Sequence, residues 1–380
     1  MTTGRDSRQV APHASGDDAT AAELATLVAV GQFEPIARTR LEPAIWDYVA
    51  GGSGDEHTLN GNLRAWQQVE LSPRSLVDVS DLDTSLEFLG LTLSHPIVVA
   101  PTARHAAYHP DGEHATIAGA ARAEALYVQS SLGSTALQTI GAAADIANAP
   151  WLFQLYVQRD RGFTQELVAA AVAAGAKALV LTIDTPCLGA RDRDQRNQFG
   201  AIDGFSYPIL ANSTLIDEPA PPHRRVFNPL LAPDVTWDDL DWLIDISPIP
   251  VITKGHLRPD EAVRAAVAGV GAVIVSNHGG RNLDTVPATA AALPRIVDAI
   301  GGTVPVLVDG GIRRGTDIAK ALCLGATAVL VGRPAIWGLA VGGAAGVTQV
   351  LEILRTELEM SMALLGAPTL ADLEPGLLNG

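Results

Sequence analysis

The segment Ser276-Asn277-His278-Gly279-Gly280-Arg281 sets a side chain that titrates near neutral pH three residues before a permanent cation, with two glycines between them. Histidine accepts a proton near neutrality, and a guanidinium fork grips a carboxylate through paired hydrogen bonds. The glycines permit a tight loop in which both side chains face one small acid. This pairing suits removal of hydrogen from a carbon beside a carboxylate, a reaction that also needs an electron sink that side chains do not supply. Further on, Asp309-Gly310-Gly311-Ile312-Arg313 and Gly332-Arg333 are Gly-rich turns with arginines that open into helices. Backbone N–H groups at such helix starts hold phosphate, so a phosphorylated ligand is expected there.

These residues need a scaffold that brings distant segments to one rim. Eight short apolar runs supply it: 96–100, 126–129, 152–155, 178–181, 251–253, 272–275, 305–308 and 328–331, each followed by an Ala- and Leu-rich segment with helical spacing. Eight βα units in a row, without a GxGxxG turn after the first strand, predict a closed (β/α)8 TIM barrel of the α/β class. Catalytic groups of such a barrel stand just after the strand C-termini. The strand ends here carry Thr102 and Ala103, Ser130, Gln154 and Tyr156, Thr182 and Asp184, Lys254, Ser276 and His278, Asp309 and Arg313, and Gly332 and Arg333. The rhythm breaks between Leu181 and Thr253, where an insertion containing the Pro-rich IDEPAPPHRR predicts a variable loop over about 200–235.

Ahead of the barrel, residues 1–20 are polar and lack apolar periodicity, which predicts a disordered leader. Residues 21–70 have helical spacing broken by GGSGDEHTL and predict a helical cap on a single barrel domain that runs to residue 380. A net charge of −16 without a Lys or Arg run disfavours nucleic acid. The two cysteines, Cys187 and Cys323, have no metal-ligand neighbours, and no metal is expected. Neither a secretory signal nor an uninterrupted apolar run of membrane-spanning length is evident, so a cytoplasmic protein without a membrane partner is expected.

The stretches SNHGGRNLD (276–284), FQLY (153–156), LTIDTPCLGARDRDQRNQF (181–199) and VDGGIRRGTDIAKALCLGATAVLVGRP (308–334) resemble the FMN-dependent 2-hydroxy acid dehydrogenase and oxidase family, in order and with compatible spacing from Leu41 to Leu373. The resemblance implies FMN as cofactor and oxidation of a small (S)-2-hydroxy acid to a 2-oxo acid. It makes His278 the base and Asp184 the group that orients it. Arg281, Arg191 and Tyr48 become carboxylate ligands, and Tyr156 the partner of the hydroxyl. Lys254 is assigned to the pyrimidine edge of the flavin. Thr102, Ala103, Ser130, Gln154, Thr182 and Ser276 are assigned to the ring and ribityl, and Asp309, Gly311, Arg313, Gly332 and Arg333 to ribityl and phosphate. Ala103 favours dioxygen as acceptor, with peroxide as product, over another acceptor, and a homotetramer or homo-octamer is implied.

Three positions depart from the family. Leu132 replaces an aromatic and is expected to open space above the substrate, and His256 replaces an aliphatic residue. Arg104 either adds a cation to the pocket, for a larger, tethered or doubly acidic substrate, or reaches solvent, the outcome the sequence slightly favours. His109, in HPDGE, reads as a helix-start residue.

Overall fold

Side chains along a strand alternate between two faces, so an apolar run buried on both sides feeds two separate cores. The computed structural model, which describes residues 16–198, 206–214 and 226–379, has that arrangement. A hairpin of β1 (Leu86–Phe88) and β2 (Leu91–Leu93) precedes eight parallel strands: β3 (Ile97–Val99), β4 (Leu126–Ser130), β5 (Trp151–Leu155), β6 (Leu179–Thr182), β7 (Val251–His256), β8 (Ala272–Val275), β9 (Val306–Val308) and β10 (Ala328–Val331). These eight close into a barrel, with β10 paired to both β9 and β3. Inward residues such as Val98, Leu126, Val128, Leu152, Val180, Ile252, Ile274, Leu307 and Leu330 fill the lumen. Their neighbours Val99, Tyr127, Phe153, Leu181, Val273 and Val329 join the larger core beneath the helices. Full burial of each such side chain stabilises the fold by about 1.5–3 kcal/mol before chain entropy is subtracted.

The hairpin plugs the end of the lumen where the strands begin. Phe88 and Leu93 are buried with the lumen residues, and the turn between the strands places Leu89 and Gly90 at positive φ, 49° and 77°. The alternating LEFLGLTL carried this signal in the sequence, and the preference of two-residue hairpin turns for left-handed backbone explains the glycine.

Four cap helices come first in the chain: α1 (Gly16–Leu24), α2 (Phe33–Arg40), α3 (Pro43–Ala50) and α4 (His57–Gln68). Helix α1 begins inside the segment expected to be a disordered leader, which corrects that boundary; residues 1–15 lie outside the described residues. The helix gains order by docking. Leu24 is buried, and Gln349 Nε2 donates to the Leu24 and Leu27 carbonyls at 2.7 Å, a tertiary anchor that local polarity does not reveal.

The barrel helices are α5 (Gly112–Arg122), α6 (Leu137–Ala147), α7 (Arg161–Ala173), a short α8 (Asp192–Arg196) in the loop after β6, α9 (Trp237–Ile246), α10 (Pro259–Ala268), α11 (Thr289–Ile300), α12 (Gly315–Cys323) and α13 (Arg333–Leu365). The long α13 is apolar enough for a membrane span, but α2, α5 and α12 pack around it, and non-helical backbone at Gly342 and Gly343 breaks it in two. His109 lies just before α5, and its Nδ1 accepts the Asp111 N–H, as a helix-start residue should. Part of the expected variable loop, 199–205 and 215–225, lies outside the described residues; the described parts bury Tyr207, Leu210, Leu230 and Leu231.

Candidate active site

The strand alternation that fills the lumen also selects the site. Counting two residues on from the last lumen residues reaches Thr102, Ser130, Gln154, Thr182, Lys254, Ser276, Asp309 and Gly332, so the rim is polar because the inward parity continues past the apolar core. They surround a cleft of about 1440 Å³, mouth included, roofed by the cap and by Tyr207, Leu230 and Leu231. All of these residues except Ser276 line it, as do Ala103, Leu132, Tyr156, Gly311, Arg313 and Arg333. Ser276 Oγ accepts from Lys254 Nζ at 2.8 Å and from the His278 N–H at 3.0 Å, so it also positions two site residues.

His278 sits on left-handed backbone, φ 56°, between the end of β8 and the two glycines. Its Nδ1 donates to Asp184 Oδ1 at 2.9 Å, which leaves Nε2 for the cleft. Asp184 Oδ1 also accepts from Thr185 Oγ1 at 2.9 Å, and Asn282 Nδ2 donates to Thr185 Oγ1 and to the Asp184 carbonyl, both at 2.8 Å. Thr185 and Asn282 are positioning residues that sequence reasoning missed, although each adjoins a singled-out motif residue. Burial holds His278 below the usual histidine range against the pull of Asp184, so the imidazole is neutral and basic at neutral pH. Asp184 is half-buried and partly desolvated, yet His278 and Lys254 keep it below the ordinary carboxylate range and therefore ionised. Burial and the Asp184 charge push the Tyr156 phenol up, so it remains a hydrogen-bond donor.

Arg281 Nη1 donates to the carbonyls of Tyr48 at 2.6 Å and Gly51 at 2.9 Å, and Arg333 Nε and Nη2 donate to Val49 and Gly51, both at 2.9 Å. Those carbonyls end α3, where no intrahelical partner remains, so two site arginines fasten the cap to the barrel. The fastening sets Tyr48 over the cleft, its ring 4.9 Å from the Arg281 guanidinium. Arg191 also lines the cleft; Nε donates to the Arg281 carbonyl at 3.2 Å, and Nη1 lies 3.8 Å from Asp194. Burial brings Arg191 down to about 10, and Asp194 is raised by burial against the nearby arginines. Asp194, Tyr108 and Tyr207 line the cleft without having been identified from sequence, where nothing separates them from surface or packing residues.

The solvent-directed reading of Arg104 is overturned. Its side chain is 5% exposed and lines the cleft, with the guanidinium 4.8 Å from the Tyr48 ring and 5.4 Å from that of Tyr207. A left-handed residue, φ 63°, turns it inward, and apolar rings on two sides suit a cation. Leu132 is half-buried in the same wall. His256 is buried beneath the site, its Nε2 bonded to Thr253 Oγ1 at 2.8 Å, and burial lowers it to about 4.

The other end of the cleft fits FMN. Helix α13 follows Gly332 with no side-chain cap; Pro334 has no N–H and the Ala335 N–H donates to the Gly332 carbonyl at 3.0 Å, so the Arg333 N–H and the helix dipole are what the start of α13 offers an anion in the cleft. Arg313 and Arg333 lie beside it as buried cations, both lowered by burial, Arg313 to about 10. Arg313 rests 4.8 Å over Trp337. Buried Asp309 Oδ1 has no hydrogen-bond partner and suits a ribityl hydroxyl, while Asp309 Oδ2 pairs with Lys254 at 2.9 Å. Burial opposes charge on Lys254, but Asp309 and Asp184 outweigh it and hold the ammonium form, a fixed cation for the pyrimidine edge. Among the described residues no His, Cys, Asp and Glu cluster is arranged to hold a metal, and Cys187 and Cys323 are both free thiols.

A parallel eight-stranded barrel with a phosphate-binding helix start, a lysine at the ring edge and a carboxylate-backed histidine defines a class, the flavin-dependent barrel oxidoreductases. The comparisons narrow it. The model of the FMN-dependent dehydrogenase family matches residues 37–380. The chain is 45% identical to L-lactate oxidase of Nostoc sp. over 92% of this chain and 97% of that one. It is 44% identical to a peroxisomal (S)-2-hydroxy-acid oxidase of Oryza sativa subsp. japonica, over 91% and 94%. A crystal structure of mandelate oxidase with (S)-2-phenylpropionate superposes with a TM-score of 0.84 at 38% identity, covering 93% of this chain and 98% of that one. The chain belongs to the FMN-dependent dehydrogenase family, and FMN is its cofactor.

Proposed function

We propose that the protein oxidises (S)-2-hydroxy acids to 2-oxo acids and uses dioxygen as the final acceptor, forming hydrogen peroxide. The carrying observation is the His278 Nδ1 to Asp184 bond, which fixes the tautomer that offers Nε2 as base in a cleft also lined by Arg281, Arg191, Tyr48 and Tyr156. Arg281, Arg191 and the Tyr48 hydroxyl hold the substrate carboxylate, and the Tyr156 hydroxyl bonds the substrate hydroxyl. His278 Nε2 accepts the proton the substrate loses, and Asp184 stabilises the imidazolium that forms. Bound FMN supplies the two-electron acceptor. Two electrons and two hydrogens leave the hydroxy acid, and dioxygen takes up the equivalent pair to give peroxide. The relatives named above, a lactate oxidase and an (S)-2-hydroxy-acid oxidase, support this reading.

Anaerobic mixing of the yellow holoprotein with a panel of (S)-2-hydroxy acids tests it. Bleaching of the flavin band by one of them, followed by peroxide when air is admitted, is expected. A protein that no acid bleaches overturns the proposal, and bleaching without peroxide moves the acceptor to a quinone or another carrier. The reading also includes a cytoplasmic homotetramer or homo-octamer, which fractionation and sedimentation velocity measure.

A further inference from the structure

We propose that Arg104 forms a second anion site in the substrate cleft, and that the preferred substrates are 2-hydroxy acids with a distal carboxylate. This rests on the oxidation proposed above and names the substrate class within it. The reacting end of the cleft already has carboxylate ligands in Arg281, Arg191 and Tyr48. Arg104 lines the same cleft, with its guanidinium 4.8 Å from the Tyr48 ring and 5.4 Å from the Tyr207 ring, while the Arg281 guanidinium is 4.9 Å from the Tyr48 ring, so Tyr48 stands beside two cations. Leu132, Leu188, Leu230 and Leu231 line the same cleft, so methylenes between the two carboxylates meet apolar wall and the chain ends at a guanidinium.

Three further observations mark Arg104 as placed for a ligand. Its backbone is left-handed at φ 63° and ψ 46°, a conformation a long side chain seldom adopts and which here turns the guanidinium inward from the β3 loop. The guanidinium lies against two rings, 4.8 Å from that of Tyr48 and 5.4 Å from that of Tyr207, so its orientation is preset and little side-chain entropy remains to be lost on binding. The cleft carries a positive field: burial alone raises the Tyr48 phenol, yet Arg104, Arg281 and Arg191 outweigh that and leave it below its ordinary value. An arginine fork matches a carboxylate in both charge and shape.

Matched pairs of acids provide the test on the holoenzyme: (S)-malate against (S)-2-hydroxybutyrate, and (S)-2-hydroxyglutarate against (S)-2-hydroxypentanoate, in which a methyl group replaces the distal carboxylate. We expect kcat/KM for at least one diacid to exceed that of its monoacid partner tenfold or more. Arg104→Met should cut that diacid-to-monoacid ratio at least tenfold, and Arg104→Lys should retain part of it. Titration with the corresponding 2-oxo acids, followed by the change in flavin absorbance, should show the same loss in Kd ratio. A ratio near one in the wild type, or one that Arg104→Met leaves unchanged, overturns the proposal and leaves Arg104 as a brace for Tyr207. Monoacids oxidised with no diacid advantage remove the distal site alone, whereas no oxidation of any acid removes the reading of the active site beneath it.

Discussion

Replacing Asp184 by Asn leaves the shape of the site intact and removes the charge behind the base. In the resting enzyme Asp184 faces a neutral imidazole; once His278 has taken the substrate proton it faces an imidazolium across a 2.9 Å hydrogen bond. Two unit charges with centres about 4 Å apart attract by about 4 kcal/mol at an effective dielectric near 20. The His278 side chain is 22% exposed and that of Asp184 14%, so solvent screening reduces this, and about 3 kcal/mol is a fair value for what the transition state loses. That corresponds to about a hundredfold in rate. An asparagine that donates its amide to Nδ1 would also fix the wrong tautomer and add to the loss. Anaerobic rapid mixing with a saturating 2-hydroxy acid, read as the first-order loss of flavin absorbance, measures the step directly, with FMN content and product Kd as checks on integrity. Asp184 raises the His278 pKa against burial, so the variant's acid limb in kcat/KM should also move to lower pH. The wild-type limb should itself lie below the ordinary histidine value. A fall of less than tenfold with an unmoved acid limb would refute the role of the pair.

Other perturbations test neighbouring parts of the site. Lys254→Met leaves the Asp309 carboxylate, 10% exposed, without its cation, and should cost about 3 kcal/mol in urea unfolding, with recovery when Asp309→Asn is added. His256 is held at about 4 when folded against about 6.5 unfolded, so the unfolded chain binds the proton first as pH falls. Its contribution is whole above about 6.5 and declines by about 3 kcal/mol towards pH 4; His256→Leu should flatten the curve by that amount, and parallel curves would count against it. Gly280 has φ 73°, and a Cβ there would lie 2.6 Å from the Leu59 backbone nitrogen of the cap. Gly280→Ala should therefore lower Tm and raise KM together, because the cap carries Tyr48; a lowered Tm with normal KM would separate cap docking from substrate binding.

Most of the architecture was legible because it rests on local patterns. The eight apolar runs are long enough to be strands, each is followed by helical spacing, and the observed barrel strands fall on all of them. The polar rim was legible for the same reason, since the alternation that fills the lumen continues into Ser130, Gln154, Thr182 and Lys254. The β1–β2 plug had its signal in LEFLGLTL and went unread beside the stronger barrel rhythm. Helix α1 had none, because its order comes from docking on α13.

By itself, then, the sequence determined the periodicity, and with it the barrel, the order of groups around the rim and the motif residues His278, Arg281 and Lys254. Only the tertiary structure decided how far each group lies from the cleft and what surrounds it. Ser276 bonds Lys254 and Asp184 bonds His278, Arg281 and Arg333 bind the carbonyls that end α3, and Asp194 and Tyr207 enter from the loop after β6. Arg104 shows the difference most clearly. A charged residue after a strand is compatible with solvent or with a pocket, and the choice depended on a left-handed turn and on two tyrosine rings contributed by segments far away in the chain. Side-chain burial is set by contacts between distant segments, and no local pattern encodes those contacts.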